Sequence, residues 1–154
     1  RDLLHEGQQL MVQVAKDPIA SKGARLTAAL AIASRYVVLM PFNEHIGVSQ
    51  RIEDEVERER LRRDVEEIRG LHGLRLGFIL RTAAEGVARA VLDTDMRVLA
   101  RLWEKVLEKK RQVGCPSVVY QEIPLHIRVM RDLAGPRVEH IRIDHVETYQ
   151  RVLD

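Results

Sequence analysis

Residues 77–86 read Gly77-Phe78-Ile79-Leu80-Arg81-Thr82-Ala83-Ala84-Glu85-Gly86, and this stretch carries the most information about the fold. Its apolar beginning is typical of a short buried strand, and the small residues that follow predict a turn leading into a helix. Arg81 and Thr82 then stand at the exposed strand end. An arginine fork fits the oxygens of a phosphate, and a threonine hydroxyl can donate to the same group. Taken alone, such a pair is more often an ordinary strand end, with Arg81 paired to Glu85.

The patterns on both sides of this stretch predict alternating strands and helices. Their predicted bounds are strands at 10–16, 24–32, 36–40, 76–82, 117–121 and 138–143, and helices at 52–68, 88–112 and 124–133. Residues 42–49 are expected to form a loop, and Asp144 is expected to cap a last helix. This order of elements predicts an α+β fold.

Composition limits the kind of protein. The 154 residues allow one ordinary domain or two small ones, and the net charge of +2 (25 basic and 23 acidic residues) is too small for a broadly basic nucleic-acid binder. Any contact with nucleic acid must therefore be local. A single cysteine, Cys115, excludes an internal disulfide and fits a reducing compartment. No signal peptide or membrane-spanning run is visible. The chain begins at Arg1 and ends within a predicted helix, so we expect a segment of a longer protein.

Four segments together resemble the ribonuclease E/G family of bacterial endoribonucleases, and most closely its ribonuclease G subfamily. They are MVQVAKDP (11–18) with SKGARLT (21–27), SRYVVLMP (34–41), HIGVSQRIE (45–53) and RTAAEG (81–86). They occur in the order of the family and at about its spacing, and the resemblance weakens after Gly114. It implies three regions: the end of an OB-fold RNA-binding barrel at 1–33, a small α/β 5′-sensor domain at 34–125, and part of an RNase-H-like subdomain at 126–154.

The resemblance also implies site residues. Arg81 and Thr82 match the positions that bind the 5′-monophosphate of RNA in the family. Val38, through its backbone amide, and Ser34, through a backbone contact to the terminal nucleotide, match the same pocket. Other matching or neighbouring residues are expected to contact RNA: Lys22, Arg25, Arg35, Gln50 and Arg51. From the residues alone, Gln50-Arg51 fits a solvated helix N-terminus about as well as it fits an RNA contact.

The function that this resemblance implies is 5′-monophosphate sensing within an endoribonuclease, which is a hydrolase. Such an enzyme cuts single-stranded A/U-rich RNA in the 5′ maturation of small-subunit rRNA and in mRNA decay. In the family, aspartates that match no residue of this chain hold the catalytic Mg²⁺. We therefore expect no catalytic residue and no metal ligand here, and no cutting by the isolated segment.

The resemblance further implies a cytoplasmic, membrane-free homodimer or tetramer that binds single-stranded RNA. The alternative is a non-catalytic RNA-binding or protein-assembly module. In that alternative, the amphipathic faces of the helices at 52–68 and 88–112 bind a protein partner.

Overall fold

The computed structural model of the chain describes residues 5–134 and 138–153. Residues 1–4, 135–137 and 154 belong to the first and last of the three predicted regions and lie outside the described residues. The chain divides into two units, residues 1–117 and residues 118–154. The α+β class predicted from the sequence is confirmed.

The first unit contains both sheets and the two longer helices. Its strands are β1 (Gln13–Lys16), β2 (Arg25–Thr27), β3 (Ile32–Ala33), β4 (Val37–Met40), β5 (Ile46–Val48) and β6 (Gly77–Leu80). Its helices are α1 (Glu55–Leu71), a short 3-10 helix (Thr82–Ala84) and α2 (Arg89–Gln112).

Strands β1 and β2 form an antiparallel pair of their own, with Gln13 opposite Thr27. The Gln13 side chain bonds both backbone groups of Ala31: its Nε2 donates to the Ala31 carbonyl at 3.0 Å, and its Oε1 accepts from the Ala31 N–H at 2.9 Å. This amide therefore ties the pair to the chain that enters β3. Two strands do not close a barrel, so the OB-fold remains an expectation.

The second sheet has the strand order β3-β4-β6-β5. Strand β4 is antiparallel to β3 and to β6, whereas β5 is parallel to β6. The prediction of a loop throughout residues 42–49 was therefore wrong at β5. Its three residues, Ile46-Gly47-Val48, are too few to show a strand period, and pairing with β6 is what orders them. Helix α1 connects the parallel strands β5 and β6.

The core lies between this sheet and the two helices of the first unit. Val37 and Leu39 of β4 and Phe78 and Leu80 of β6 have no solvent exposure. Helix α2 packs on β4, α1 packs on β5, and the helices contact each other. The helix residues buried there are Leu61, Val65 and Ile68 of α1 and Leu92, Met96, Leu99, Ala100, Trp103 and Val106 of α2. The helix faces that the alternative reserved for a protein partner are thus already covered.

Two apolar residues of these helices are exposed rather than buried. Val56 is 80% exposed and Val91 is 42% exposed. Val56 stands five residues before Leu61, the first buried residue of α1, and Val91 stands directly before Leu92, the first buried residue of α2. Residues three or four apart share a helix face, whereas residues one or five apart do not. Helix α1 also begins at Glu55 rather than Ile52, because the Asp54 side chain caps it by accepting the Val56 N–H at 2.9 Å.

The second unit contains the helices α3 (Leu125–Leu133) and α4 (Val146–Leu153). Residues 117–121 and 138–143 do not form the predicted strands. A strand needs a partner strand for its backbone N–H and carbonyl groups. Without these two strands, the predicted RNase-H-like layer remains an expectation. The prediction that Asp144 caps the last helix is also wrong. At the start of α4 the Thr148 N–H donates to His145 Nδ1 at 3.3 Å instead. Within the described ranges, no helix has both the length and the apolar character required to cross a membrane.

Candidate functional site

Arg81 and Thr82 follow β6 directly, and Ser49 follows the parallel neighbour β5. Because parallel strands run in one direction, their carboxyl ends meet at the same edge of the sheet. The Ser49 N–H donates to the Leu80 carbonyl at 2.9 Å, which extends the pairing to this edge. The hydroxyl oxygens of Ser49 and Thr82 are 3.2 Å apart. The strand-end pair predicted from the sequence therefore has a third polar neighbour.

The Arg81 side chain is bound to the loop between β3 and β4. Its Nη1 donates to the carbonyl oxygens of Ser34 at 2.6 Å and of Arg35 at 3.1 Å. Its backbone N–H donates to the Tyr36 carbonyl at 2.8 Å. Both acceptors are neutral backbone carbonyls, and the two bonds fix the orientation of the guanidinium. The residue is part-buried.

Ser34, which accepts one of these bonds, is buried, with 8% of its surface exposed. Its N–H donates to the Val37 carbonyl at 2.8 Å, and its carbonyl accepts from Arg81. Its hydroxyl donates to Asp95 Oδ2, which also accepts the Tyr36 N–H at 3.1 Å. Both backbone groups of Ser34 therefore have internal partners. The structure gives this residue a supporting position, and its predicted contact with a nucleotide stays a prediction.

Asp95 is a site residue that sequence reasoning missed. It belongs to the charged positions of α2, where a solvated carboxylate is the ordinary expectation. Its partners Ser34 and Tyr36 stand 61 and 59 residues earlier in the chain. No local pattern signals such a contact, because it depends on α2 packing against β4.

The strand register decides where the Val38 amide lies. In an antiparallel pair, opposed residues alternate between hydrogen-bonded and non-hydrogen-bonded pairs. The Arg81 N–H bonds the Tyr36 carbonyl, so the pair Val38 and Ile79, two residues further in the register, is again hydrogen-bonded. The Val38 N–H therefore faces Ile79 within the sheet. This geometry does not favour the phosphate contact that the resemblance implies for this amide.

Side chains of helix α1 bond the loop that follows β5 and the turn that follows the 3-10 helix. Arg58 Nη1 donates to the Ser49 carbonyl at 2.8 Å. Glu57 Oε1 accepts the Gly86 N–H at 2.8 Å, and Arg60 Nη2 donates to the Val87 carbonyl at 3.1 Å. Gly86 has φ +71°, a conformation that glycine adopts without strain. The turn after the 3-10 helix is thus held by charged side chains from α1.

Arg60 forms the centre of this support. Its Nη2 is 2.6 Å from Glu57 Oε1, and its Nη1 is 2.8 Å from Asp64 Oδ2. The hydrogen bond from Arg60 holds the pKa of Glu57 below its usual value; burial opposes this, and the Gly86 N–H adds to the lowering. The pKa of Arg60 is raised in turn, chiefly by its hydrogen bond to Glu57. The charged forms of both side chains are therefore favoured in the folded chain.

Three of the five predicted RNA-contacting residues lie beside the site. Gln50 and Arg51 are exposed and follow Ser49, whose hydroxyl accepts the Arg51 N–H at 3.4 Å. Arg35, whose carbonyl accepts from Arg81, places its guanidinium carbon 5.3 Å from the centre of the Tyr36 ring. These three side chains therefore border the edge at which β5 and β6 end.

The other two predicted RNA-contacting residues belong to the separate β1–β2 sheet. Lys22 is exposed in the connection between these strands, and its N–H donates to the Ile19 carbonyl at 2.9 Å. Arg25 is exposed at the start of β2. The sheet topology therefore does not place Lys22 and Arg25 with Arg81 and Thr82.

Comparison with known proteins bears on these contacts. The pattern of the ribonuclease E/G family matches residues 31–154, a range that includes Ser34, Ser49, Arg81, Thr82 and Asp95. The chain belongs to the ribonuclease E/G family. The resemblance first noted in four short segments is confirmed over most of the chain.

Members of the family that resemble the chain include ribonucleases of both named types. Ribonuclease G of Escherichia coli strain K12 is 48% identical over 153 residues, which are 99% of this chain and 31% of that protein. Ribonuclease G of Haemophilus influenzae is 48% identical over 143 residues, or 93% of this chain and 28% of the relative. Ribonuclease E of Nostoc sp. strain PCC 7120 is 34% identical over 151 residues, which are 98% of this chain and 22% of that protein. The chain spans less than a third of the length of these relatives.

The Mg²⁺ that the family resemblance implies finds no ligand set among the described residues. Across 5–134 and 138–153, no group of three or more histidine, cysteine, aspartate or glutamate side chains is placed to hold a metal ion. We therefore assign no step of a metal-dependent reaction to this chain's side chains.

Proposed function

We propose that this chain is the part of an endoribonuclease that binds RNA and recognises its 5′-monophosphate. The observations that support the proposal lie where β5 and β6 end. Arg81, whose guanidinium is bonded to the Ser34 and Arg35 carbonyls, is followed directly by Thr82, and the hydroxyls of Thr82 and Ser49 are 3.2 Å apart. Membership of the ribonuclease E/G family supports a ribonuclease-type role in RNA processing.

The chemistry of the two RNA ends explains how such a site discriminates. A terminal monophosphate carries about one and a half to two negative charges near neutral pH. An RNA that begins with a hydroxyl offers only internal phosphodiesters, each with a single charge. Hydrogen bonds between ionised partners are stronger than neutral ones, so Arg81 gains most from the terminal group. A 5′-triphosphate is larger, and we expect the site to exclude it by size.

The surrounding residues have subordinate roles in this proposal. Gln50, Arg51 and Arg35 border the site and would contact the backbone of the following nucleotides. Lys22 and Arg25 would add phosphate contacts elsewhere on the RNA. Contacts of this kind give affinity without choosing a sequence.

Recognition of the 5′ end would serve the cleavage reaction of the whole enzyme. Phosphate binding would favour the conformation that is competent to cut, because a ligand shifts an equilibrium towards the state it binds better. The proposed substrates are single-stranded, A/U-rich RNAs in the 5′ maturation of small-subunit rRNA and in mRNA decay. We propose that the enzyme is a cytoplasmic homodimer or tetramer, with Mg²⁺ held by residues outside this chain.

A nuclear magnetic resonance titration tests the proposal directly. Two short RNAs of identical sequence, one with a 5′-monophosphate and one with a 5′-hydroxyl, are added to the isotopically labelled chain. We expect the phosphorylated RNA alone to shift the amide signals of Arg81, Thr82 and Ser49. The variant Arg81→Ala should lose this difference. The control variant Arg89→Ala removes the same charge as Arg81→Ala. It should keep the difference between the two RNAs, because Arg89 is exposed and pairs with Glu67.

Two outcomes would contradict the proposal. Equal shifts with both RNAs would indicate RNA binding without recognition of the 5′ end. An absence of shifts at Arg81, Thr82 and Ser49 would show that the phosphate does not bind at this edge of the sheet.

A further inference from the structure

The loop between β3 and β4 is held by a carboxylate from the opposite layer of the fold. Asp95 belongs to α2, and its Oδ2 accepts two bonds from this loop: one from the Ser34 hydroxyl and one from the Tyr36 N–H at 3.1 Å. Asp95 is part-buried and Ser34 is buried. Bonds to an ionised acceptor in such a position are stronger than those between neutral groups.

The Ser34 hydroxyl has one proton and two acceptors within reach. Asp95 Oδ2 is one, and the Val37 carbonyl, 2.9 Å away, is the other. The carboxylate is the stronger acceptor, and the Val37 carbonyl already receives the Ser34 N–H at 2.8 Å. The hydroxyl proton therefore goes to Asp95, and the same oxygen accepts the Val37 N–H at 3.3 Å. This arrangement permits a single orientation of the Ser34 side chain.

The same short loop supplies both carbonyl groups that orient Arg81. Nη1 of Arg81 bonds the carbonyl oxygens of Ser34 and Arg35, which belong to consecutive residues. Two consecutive carbonyls reach one nitrogen only in a particular loop conformation. That conformation is bounded by the two residues that Asp95 holds, Ser34 and Tyr36. A continuous set of bonds therefore runs from Asp95 through the loop to the guanidinium.

We propose that Asp95 is a positioning residue for the phosphate site: it fixes the loop that aims Arg81, without touching RNA itself. The inference rests on the proposed function, since it assigns a residue to the same site. It assigns the site a support from α2 in addition to the support from α1. Discrimination between the RNA 5′ ends should therefore depend on Asp95, although this residue belongs to α2 and Arg81 follows β6.

The experiment compares dissociation constants for 5′-monophosphate and 5′-hydroxyl RNAs of one sequence, measured by fluorescence anisotropy with a 3′ label. We expect Asp95→Ala to reduce the ratio of the two constants by about tenfold, the scale of one hydrogen bond to a charged group. Asp95→Asn keeps an acceptor oxygen of the same shape, so it should restore part of the ratio. Binding of the 5′-hydroxyl RNA should change little in either variant.

Asp93→Ala is the matched control. Asp93 stands two residues earlier on α2, with Oδ1 2.6 Å from His72 Nε2 and Oδ2 3.3 Å from Arg97 Nε. It faces α1 rather than the loop, so its loss should lower the melting temperature and leave the ratio unchanged. If Asp95→Ala is too unstable to measure, Ser34→Ala removes the hydroxyl bridge alone and should reduce the ratio.

The outcomes separate the inference from the proposed function. If the unmodified chain does not prefer the monophosphate, the proposed function fails and the inference fails with it. If the chain prefers the monophosphate and Arg81→Ala removes that preference while Asp95→Ala and Ser34→Ala retain it, only the inference is overturned. An equal loss of affinity for both RNAs in Asp95→Ala would also overturn it, because that result indicates a general structural role.

Discussion

Nη1 of Arg81 lies 2.6 Å from the carbonyl oxygen of Ser34, a residue 47 positions earlier in the chain. Ser34 follows β3, Arg81 follows β6, and β4 lies between these two strands in the sheet. This bond therefore crosses the end of the intervening strand, and the guanidinium takes its position only when all three strands are paired. The candidate site is a property of the assembled sheet rather than of the segment 81–86.

The first prediction concerns the guanidinium itself. Lysine at position 81 would keep the charge but lose the planar fork, so it could not bond the two loop carbonyls and a phosphate together. We expect Arg81→Lys and Arg81→Ala to lose the preference for monophosphorylated RNA in the complete enzyme, by about 2 kcal/mol or roughly thirtyfold in kcat/KM. Cleavage of 5′-hydroxyl RNA should persist. Kinetics with both substrates measure this ratio, and an unchanged ratio in the Arg81→Lys enzyme would show that charge alone is sufficient.

The second prediction concerns the two hydroxyls. Thr82→Val keeps the shape of the side chain and removes the donor, so it should weaken monophosphate binding by about 1 to 2 kcal/mol. Thr82→Ser keeps the donor and should bind almost normally. The Ser49 and Thr82 hydroxyls lie 3.2 Å apart, so Thr82→Val and Ser49→Ala should not be additive. A double-mutant cycle on the dissociation constant measures this coupling, and strict additivity would indicate that the two hydroxyls act separately.

The sequence was sufficient to predict the part of this site that is local. The apolar run before Arg81 forms β6, and the small residues after it form the 3-10 helix and turn. The long helices were also predictable, because their apolar residues recur at helical spacing over several turns. The start of α1 was less so, since Asp54 caps this helix and it begins at Glu55 rather than at Ile52.

The rest of the site depends on contacts between distant residues. Ser49 joins Thr82 only because β5 pairs with β6, and β5 is too short to be recognised from its own residues. Asp95 joins Ser34 only because α2 packs on β4. The direction of the Val38 amide is set by the register with Ile79, which a single strand does not specify. Strand pairing and helix packing therefore determine these contacts, and neither can be predicted from the periodicity or motifs of one segment.

The third prediction is a dependence of stability on acid pH. The pKa of Glu57 is lowered in the folded chain, chiefly by its hydrogen bond from Arg60. Glutamate in an unfolded chain has a pKa of about 4.3. The unfolded state therefore binds this proton more readily, and the stabilisation present above that pH is lost as the pH falls through the lower folded pKa. Chemical denaturation between neutral and acid pH should show this loss.

Variants separate Glu57 from the other carboxylates. Glu57→Gln keeps an acceptor for the Gly86 N–H and removes the charge, so its stability should depend less on pH in the acid range. Glu59→Gln is the control, because Glu59 is exposed, pairs with Arg62 on the same helix and should contribute little. Identical acid profiles for Glu57→Gln and the unmodified chain would contradict the role given to the Glu57–Arg60 pair.

The last prediction concerns the start of β6. A Cβ atom on Gly77 would lie 2.9 Å from the carbonyl oxygens of both Asn43 and His45, closer than real Cβ contacts allow. The His45 carbonyl also accepts the Phe78 N–H at 2.9 Å, so relieving the clash would strain the first bond between β5 and β6. We expect Gly77→Ala to lower the free energy of unfolding by about 1 to 3 kcal/mol in urea denaturation. Gly70→Ala, in an open position of α1, should instead raise it by about 0.5 to 1 kcal/mol. If both variants were equally stable, the position of Gly77 would have room for a Cβ atom, and the predicted clash would be wrong.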